Sequence, residues 1–219
     1  MTNLSYTKKF FMLAVNEKGK IPAMKSTEIH ACLLAGGLME LMSAGIISKD
    51  EAGKITVEKK LDDEFLYLLP LYERIATAKK PKTVEKLAMD YMSSGKHMDQ
   101  LVANFKISLI SKNYKEELHN QGLFKNKTLY VPKEEAISDI VTTIREQFFG
   151  DLPLTDEIIC VVSLLEASKL IHDYFGKFDA KLMKEKMREL PANGAHGLAR
   201  KIIDETITMM VVMTAIIVS

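Results

Sequence analysis

Most of the chain repeats its hydrophobic positions with the period of an α-helix. The clearest segment spans residues 133–149, where apolar side chains fall at i, i+3, i+4, i+7 and i+11, namely Ile137, Ile140, Val141, Ile144 and Phe148. This spacing places one apolar stripe along one face of an amphipathic helix. The same reasoning predicts further helices over residues 4–15, 26–44, 62–77, 82–94, 97–120, 156–175, 179–190 and 197–218.

Two of these segments are predicted to be buried, residues 26–44 and residues 156–175. The first, STEIHACLLAGGLMELMSA, is apolar nearly all round, and a helix without a polar face belongs in the interior. Gly36 and Gly37 interrupt it, although glycine costs a helix about 1 kcal/mol relative to alanine. The glycine pair therefore predicts that a neighbouring helix approaches closely at this point.

Two short segments show the signals of β-hairpins instead. In the first, Ile46 and Ile47 precede a polar turn at residues 50–53, and Ile55 and Val57 alternate with polar residues after it. In the second, weaker signal, residues 123–124 and 128–131 flank the polar residues 125–127. The sequence therefore predicts a mainly α fold with two hairpins. Its 219 residues, 47% of them hydrophobic, suffice for one large core, so we expect a single domain over residues 1–219.

The last apolar run, residues 207–218, is short for a membrane span. As a helix its twelve residues reach about 18 Å, whereas the hydrocarbon core of a bilayer is about 30 Å thick. We interpret the run as a buried core helix, with a membrane anchor as the alternative. The N-terminal run lacks a small-residue cleavage site, and Cys32 and Cys160 lie in apolar runs, as buried free thiols do. These features favour a reducing, cytoplasmic location.

The motifs of common enzyme classes are absent from the sequence. No GxSxG or GxGxxG segment occurs, and SSGKH fails as a phosphate-binding loop because Asp90 stands where the first glycine is required. The five histidines are scattered, with no pair at i, i+4 and no Cys-x-x-Cys motif beside them. We therefore expect no catalytic residue, no metal site and no cofactor.

Charge is balanced over the whole chain but not locally. The net charge is +1, so no overall attraction to nucleic acid or anionic lipid is expected. Between residues 104 and 133, however, two glutamates oppose six lysines, which are Lys106, Lys112, Lys115, Lys125, Lys127 and Lys133. This zone is typical of a solvated helix face and hairpin tip, and an anion-binding face is the functional alternative. Because each basic residue near an anionic membrane contributes about 1 kcal/mol, the zone would support weak docking only.

Five segments carry further information through their order along the chain. They are LSYTKKFFMLAVNEKGK, LLAGGLMELMSAGIIS, PKTVEKLAMDYMSSG, LHNQGLF and TDEIICVVSLLEASKLIHDYFG. In this order they resemble the Golgi phosphoprotein 3 family. The resemblance implies a single helical bundle with a protruding β-hairpin, here about residues 46–57, that is associated with self-assembly. It also implies the activity of the family's eukaryotic members, which bind phosphatidylinositol-4-phosphate on Golgi membranes and retain glycosyltransferases there.

The head-group pocket of that family is not reproduced in this sequence. The pocket's tryptophan falls at Lys25, an arginine of the next helix at Leu34, and two further arginines near Ser108 and Ser111. A short chain with these departures looks like a prokaryotic relative. An anionic ligand would be held by other residues, and our candidates are Lys25, Lys106, Lys112 and Lys115. For self-assembly into a homo-oligomer the candidates are the apolar hairpin positions Ile46, Ile47, Ile55 and Val57.

Three functions are compatible with these patterns. The leading hypothesis is a non-enzymatic peripheral membrane module that binds anionic, phosphoinositide-like lipid head groups, in the cytoplasm or on the cytosolic face of a membrane. The second is a winged-helix DNA-binding regulator, because helix, glycine and hairpin follow one another twice. Residues 26–44 carry no basic residue beyond their start, however, so nucleic acid is not a favoured partner. The third is a structural, oligomeric interaction protein that binds no anion.

Overall fold

The computed structural model describes residues 4–110, 114–120 and 126–190, together with the single positions 197, 204, 208 and 211. Its α-helices are α1 Tyr6–Ala14, α2 Ser26–Ser43, α3 Leu69–Ala76, α4 Val84–Ser93, α5 Gly95–Leu109, α6 Glu134–Phe149, α7 Asp156–Ala167, α8 Ile171–Tyr174 and α9 Lys177–Glu189. Its strands are β1 Ile47–Lys49, β2 Lys54–Val57, β3 Lys82–Thr83, β4 Tyr114–Asn120 and β5 Asn126–Pro132, and two 3₁₀ helices span Ala23–Lys25 and Asp63–Leu68. The predicted mainly α fold with hairpins is confirmed.

Several helix boundaries follow from local side-chain chemistry. Ser5, Thr83 and Thr155 each precede a helix, and each side-chain oxygen accepts a hydrogen bond from the backbone N–H three residues later. The predicted helix over residues 156–175 is instead two helices, because Lys169 adopts a left-handed φ of 60° between α7 and α8. The predicted helix over residues 97–120 is wrong in its second half, as described below.

The centre of the fold is built from α2 and α7, which are buried along most of their length. Helix α1 packs against both of them. A Cβ atom added at Gly36 would lie 2.8 Å from the Thr7 Oγ1 of α1, and one added at Gly37 would lie 2.9 Å from the Leu68 side chain. The close approach predicted from the glycine pair is therefore confirmed, and its physical reason is that no side chain fits between these elements.

A buried carboxylate joins α1, α2 and the 3₁₀ helix Asp63–Leu68. Glu40 on α2 is 5% exposed, and its Oε1 accepts a hydrogen bond of 3.0 Å from the backbone N–H of Thr7. Its Oε2 accepts from the Tyr67 hydroxyl, which also lies 2.9 Å from the Ser5 Oγ. Burial raises the pKa of Glu40 above its usual range, although these hydrogen bonds oppose the shift. Glu40 thus satisfies an N–H group in the first turn of α1, which has no partner within its own helix.

The first predicted hairpin is confirmed and forms part of a three-stranded antiparallel sheet. Strand β1 pairs with β2 in the register Ile47 to Val57, and β2 pairs with β3 through Lys54 and Thr83. Gly53 has a φ of +73° in the turn between β1 and β2, where glycine adopts this conformation without strain. The strand β3 was not predicted, because two residues are too few to show an alternating pattern.

The second hairpin is longer than predicted. Helix α5 ends at Leu109, and β4 begins at Tyr114 and pairs with β5 over seven residues, from Tyr114 opposite Pro132 to Asn120 opposite Asn126. The predicted helix over residues 110–120 and the predicted turn at Asn126 and Lys127 are therefore wrong. Pairing with β5 overrides the helix propensity of the charged residues in this segment. The predicted strand residues 123–124 lie outside the described part of the chain, as does most of the predicted helix over residues 197–218.

Candidate functional site

The candidate anion ligand Lys25 lies against the turn between α7 and α8. Its Nζ donates hydrogen bonds of 3.0 and 2.8 Å to the two carboxylate oxygens of Asp173, and one of 3.2 Å to the backbone carbonyl of Lys169. The Lys169 side chain forms a second link between the α7–α8 turn and α2, because its Nζ lies 2.8 Å from the carboxylate of Glu28 on α2. The charge of Lys25 is thus balanced by a carboxylate, and the residue ties the start of α2 to α8.

Of the other three candidate lysines, the structure describes Lys106 and Lys115, which lie in other elements than Lys25. Lys106 lies near the end of α5, a helix that packs against α3, α4 and the 3₁₀ helix Asp63–Leu68. Lys115 lies in β4 rather than on a helix, and Lys112 lies outside the described residues. Lys25 and Lys106 are therefore held by different elements. An anion site formed by these four lysines therefore stays a prediction.

Positions that the resemblance assigns to a head-group pocket have other roles here. Leu34 is fully buried in the core, so its side chain cannot reach a ligand at the surface. Ser108 is exposed, and its Oγ donates a hydrogen bond of 2.8 Å to the backbone carbonyl of Phe105. Ser111 lies outside the described residues. Any anionic ligand must therefore use a different set of donors.

The loop between α1 and α2, residues 15–25, presents the most exposed large apolar side chain among the described residues. This side chain is Met24, at 97% exposure. Two exposed lysines, Lys18 and Lys20, precede it in the same loop. An apolar side chain that stands in solvent beside lysines suits the interface of an anionic membrane, where the apolar part enters the acyl boundary and the charges meet head groups.

The first half of this α1–α2 loop is ordered by Asn16. The Asn16 side-chain oxygen accepts hydrogen bonds of 3.0 Å from the backbone N–H groups of both Lys18 and Lys20. The Asn16 N–H in turn donates to the Lys20 carbonyl at 2.9 Å, and Gly19 takes a φ of +63° within the turn. These hydrogen bonds close a turn that contains both lysines.

The same loop forms one wall of an apolar groove with a volume of about 620 Å³. Val15 and Lys18 line the groove on the loop side, and Ile137 and Val141 of α6 line the opposite side. Of this loop only Lys25 is among the site residues predicted from the sequence; Lys18, Lys20 and Met24 were not predicted. The signal was present in the sequence as a methionine outside any helical pattern, flanked by lysines.

The hairpin positions predicted to mediate assembly lie mainly in the core of the chain itself. Ile46, Ile47 and Ile55 are each at most 2% exposed, and Val57 packs against the same cluster of buried residues. Apart from Ala52, the exposed positions of the hairpin are polar, namely Lys49, Asp50, Glu51 and Lys54. Self-assembly through these apolar residues stays a prediction, and the buried positions would have to leave the core to take part in it.

The described residues provide exposed lysines, an exposed apolar side chain and a groove, which are features of a binding surface. Within the described ranges, no group of three or more metal-ligating side chains converges. The DNA-binding alternative would use the helix predicted over residues 97–120 as its recognition helix; this helix is α5, which ends at Leu109, and the alternative stays a prediction. No helix among the described residues has both the length and the apolar character that crossing a bilayer requires.

The model of a family described as Golgi phosphoprotein 3 matches residues 7–209, which is nearly the whole chain. No curated protein matches the chain. The matched range includes the α1–α2 loop, the buried Glu40 and both hairpins.

Proposed function

The chain belongs to the Golgi phosphoprotein 3 family, and from that premise we propose that it is a non-enzymatic module that docks peripherally on anionic lipid surfaces. The family match over residues 7–209 is the observation that carries this proposal. In this reading the protein acts at the cytosolic face of a membrane and recognises negatively charged head groups.

The α1–α2 loop is the surface that best suits such docking. Two lysines near an anionic membrane contribute about 2 kcal/mol, at about 1 kcal/mol each. Burial of the Met24 side chain adds about 2 kcal/mol. The total of about 4 kcal/mol corresponds to a dissociation constant on the order of 1 mM for one chain.

Weak docking of this kind becomes effective when several copies act together, because each additional loop binds at a high effective concentration. The proposal therefore includes a homo-oligomer that presents several α1–α2 loops to one membrane. Light scattering coupled to size-exclusion chromatography tests this part directly, since a monomer at all concentrations would contradict it.

Flotation with vesicles tests the docking surface. We expect the protein to float with vesicles of phosphatidylcholine and phosphatidylserine at low salt, and not with phosphatidylcholine alone. The Lys18→Glu/Lys20→Glu double variant and the Met24→Asp variant should each lose flotation, since these exposed side chains contribute nothing to the core.

The matched control is Lys177→Glu/Lys181→Glu on α9, which makes the same change of net charge at two other exposed lysines. This control should float like the wild type. Equal flotation with and without phosphatidylserine would refute the proposed function. Equal losses in both double variants would show that only net charge matters and would refute the assignment to the loop.

A further inference from the structure

A second surface feature lies away from the α1–α2 loop, in a cleft between α3 and α5. The cleft has a volume of about 450 Å³. Six polar side chains line it: Glu73 and Arg74 from α3, Thr77 directly after the end of α3, and His97, Gln100 and Asn104 from α5.

The three α5 side chains share one face of the helix. His97, Gln100 and Asn104 stand at i, i+3 and i+7, which places them one above the other along the cleft. The His97 Nδ1 lies 3.4 Å from the backbone carbonyl of Asp90, so Nε2 is the ring nitrogen left for a ligand. Each amide carries two N–H donors, whereas the His97 Nδ1 uses its proton on the Asp90 carbonyl and leaves Nε2 as an acceptor in the neutral ring. The two amides therefore make this wall of the cleft rich in donors.

The Arg74 guanidinium on the opposite wall is incompletely compensated. Its Nη2 lies 3.6 Å from the Oδ2 of Asp90, which is beyond the reach of a hydrogen bond. The same carboxylate oxygen is held closely by the Nζ of Lys82, so one carboxylate serves two cations. The Arg74 Nε is buried and has no hydrogen-bond partner in the described part of the chain. A ligand in the cleft cannot reach this buried Nε, but the Arg74 side chain as a whole is 36% exposed and lines the cleft, so the end of the guanidinium can meet an anion brought from outside.

From this arrangement we infer that the α3–α5 cleft binds the phosphate group of a phosphomonoester. The Arg74 guanidinium supplies the charge, the Gln100 and Asn104 amides supply directed donors from the facing helix, and the His97 Nε2 can accept from a hydroxyl group of the ligand. Glu73 at the rim adds an acceptor, which suits a ligand that carries a hydroxyl group beside its phosphate. The Thr77 hydroxyl donates to the Glu73 backbone carbonyl at 2.7 Å, so it faces a ligand as an acceptor.

This site is independent of the proposed membrane docking. It uses no residue of the α1–α2 loop, and its ligand is recognised by a single phosphate rather than by a charged surface. Two sources carry the same chemistry: a soluble phosphorylated polyol, or a lipid whose head group is a phosphomonoester. The experiment therefore uses one probe for each, glycerol 3-phosphate and vesicles that contain phosphatidic acid.

Calorimetric titration with glycerol 3-phosphate, at constant ionic strength set by sodium chloride, measures the site. We expect saturable binding, accompanied by shifts of the Gln100 and Asn104 side-chain amide signals in nitrogen–proton spectra. Arg74→Gln should weaken binding by about tenfold or more, because a hydrogen bond to a charged group contributes about 1.5–3 kcal/mol and 1.4 kcal/mol is a factor of ten. Asn104→Asp should weaken it similarly by placing a negative charge in the cleft.

Arg188→Gln is the matched control, because it removes an exposed arginine from α9 without touching the cleft. It should bind glycerol 3-phosphate like the wild type. Absence of saturable binding, or equal affinity of Arg74→Gln and Arg188→Gln, would overturn the inference. Thermal melting of each variant shows that the fold is intact.

The vesicle arm identifies the source of the phosphate. If Arg74→Gln reduces both glycerol 3-phosphate binding and flotation with phosphatidic acid, the site takes a lipid head group. If it reduces only the former, the site takes a soluble ester, and both results support a phosphate site. Met24→Asp should retain glycerol 3-phosphate binding even where flotation is lost, so failure of the membrane proposal and failure of this one are distinguishable.

Discussion

Replacement of Glu40 by alanine should destabilise the protein by about 3–5 kcal/mol. The Thr7 N–H in the first turn of α1 loses the acceptor that Glu40 provides, and a buried unsatisfied donor costs about 1–3 kcal/mol. The Tyr67 hydroxyl keeps Ser5 as a partner, so its loss costs roughly 1 kcal/mol. The cavity left by the shortened side chain adds roughly 1 kcal/mol.

Glu40→Gln separates the shape of this side chain from its charge. Glutamine keeps an oxygen for the Thr7 N–H, and the Tyr67 hydroxyl can accept from the new amide while it donates to Ser5. We therefore expect a cost of about 1 kcal/mol or less near pH 7. The contrast between the two variants assigns the larger loss to the missing hydrogen-bond partner.

The pH dependence gives the sharper test, because burial raises the pKa of Glu40 in the folded chain. The folded state then holds the Glu40 proton more tightly than the unfolded state does, whose carboxyl titrates at about 4.3. The stability that this group contributes is complete below that value, and it is lost as the pH rises through the folded pKa. Glutamine does not titrate, so the advantage of the wild type over Glu40→Gln should shrink as the pH rises.

Urea unfolding followed by circular dichroism at several pH values between about 4 and 8 measures this difference, since the chain has no tryptophan for fluorescence. An advantage of the wild type that grows with pH would mean that the folded state prefers the carboxylate anion. That result would refute the reasoning that burial dominates over the hydrogen bonds from Thr7 and Tyr67.

Two further predictions concern the contacts around α2. Gly36→Ala should destabilise the protein by about 1–3 kcal/mol, because the new methyl group would lie 2.8 Å from the Thr7 Oγ1. If the variant is as stable as the wild type in urea, α1 can shift without a loss of stability. A double-mutant cycle of Lys25→Ala and Asp173→Ala should give a coupling energy below about 1 kcal/mol, because both side chains are partly exposed. This coupling energy should fall as salt is added. A larger coupling energy that does not depend on salt would contradict the prediction.

The elements that could be predicted are those whose pattern is complete within one segment. The sequence places α6 at residues 133–149 and the structure at Glu134–Phe149, because its apolar stripe and its flanking residues agree. The first hairpin shows its turn and both alternating strands within a dozen residues. Such segments need no information from the rest of the chain.

The elements that could not be predicted depend on distant partners. The segment Tyr114–Asn120 contains helix-favouring charged residues, and its pairing with β5 decides that it is a strand. The sequence likewise predicts Lys25 as a ligand for an anion, because its partner in the structure, Asp173, is 148 positions away along the chain. The α3–α5 cleft joins side chains of two helices, and nothing in either segment alone indicates the other.

The neutralisation of Lys25 bears on how selective the membrane contact can be. Lys25 stands where the family resemblance places the tryptophan of a head-group pocket, and here it forms an ion pair with Asp173. According to the proposed function, the neighbouring Met24, together with Lys18 and Lys20, contacts lipid instead of position 25. Lysine binds phosphate as a point charge without fixed geometry, so these residues select negative charge rather than one head group. Flotation should therefore depend on the fraction of anionic lipid and on salt, and phosphatidylserine and phosphatidylglycerol should be equivalent at equal charge; a strong preference for either would require a shaped pocket.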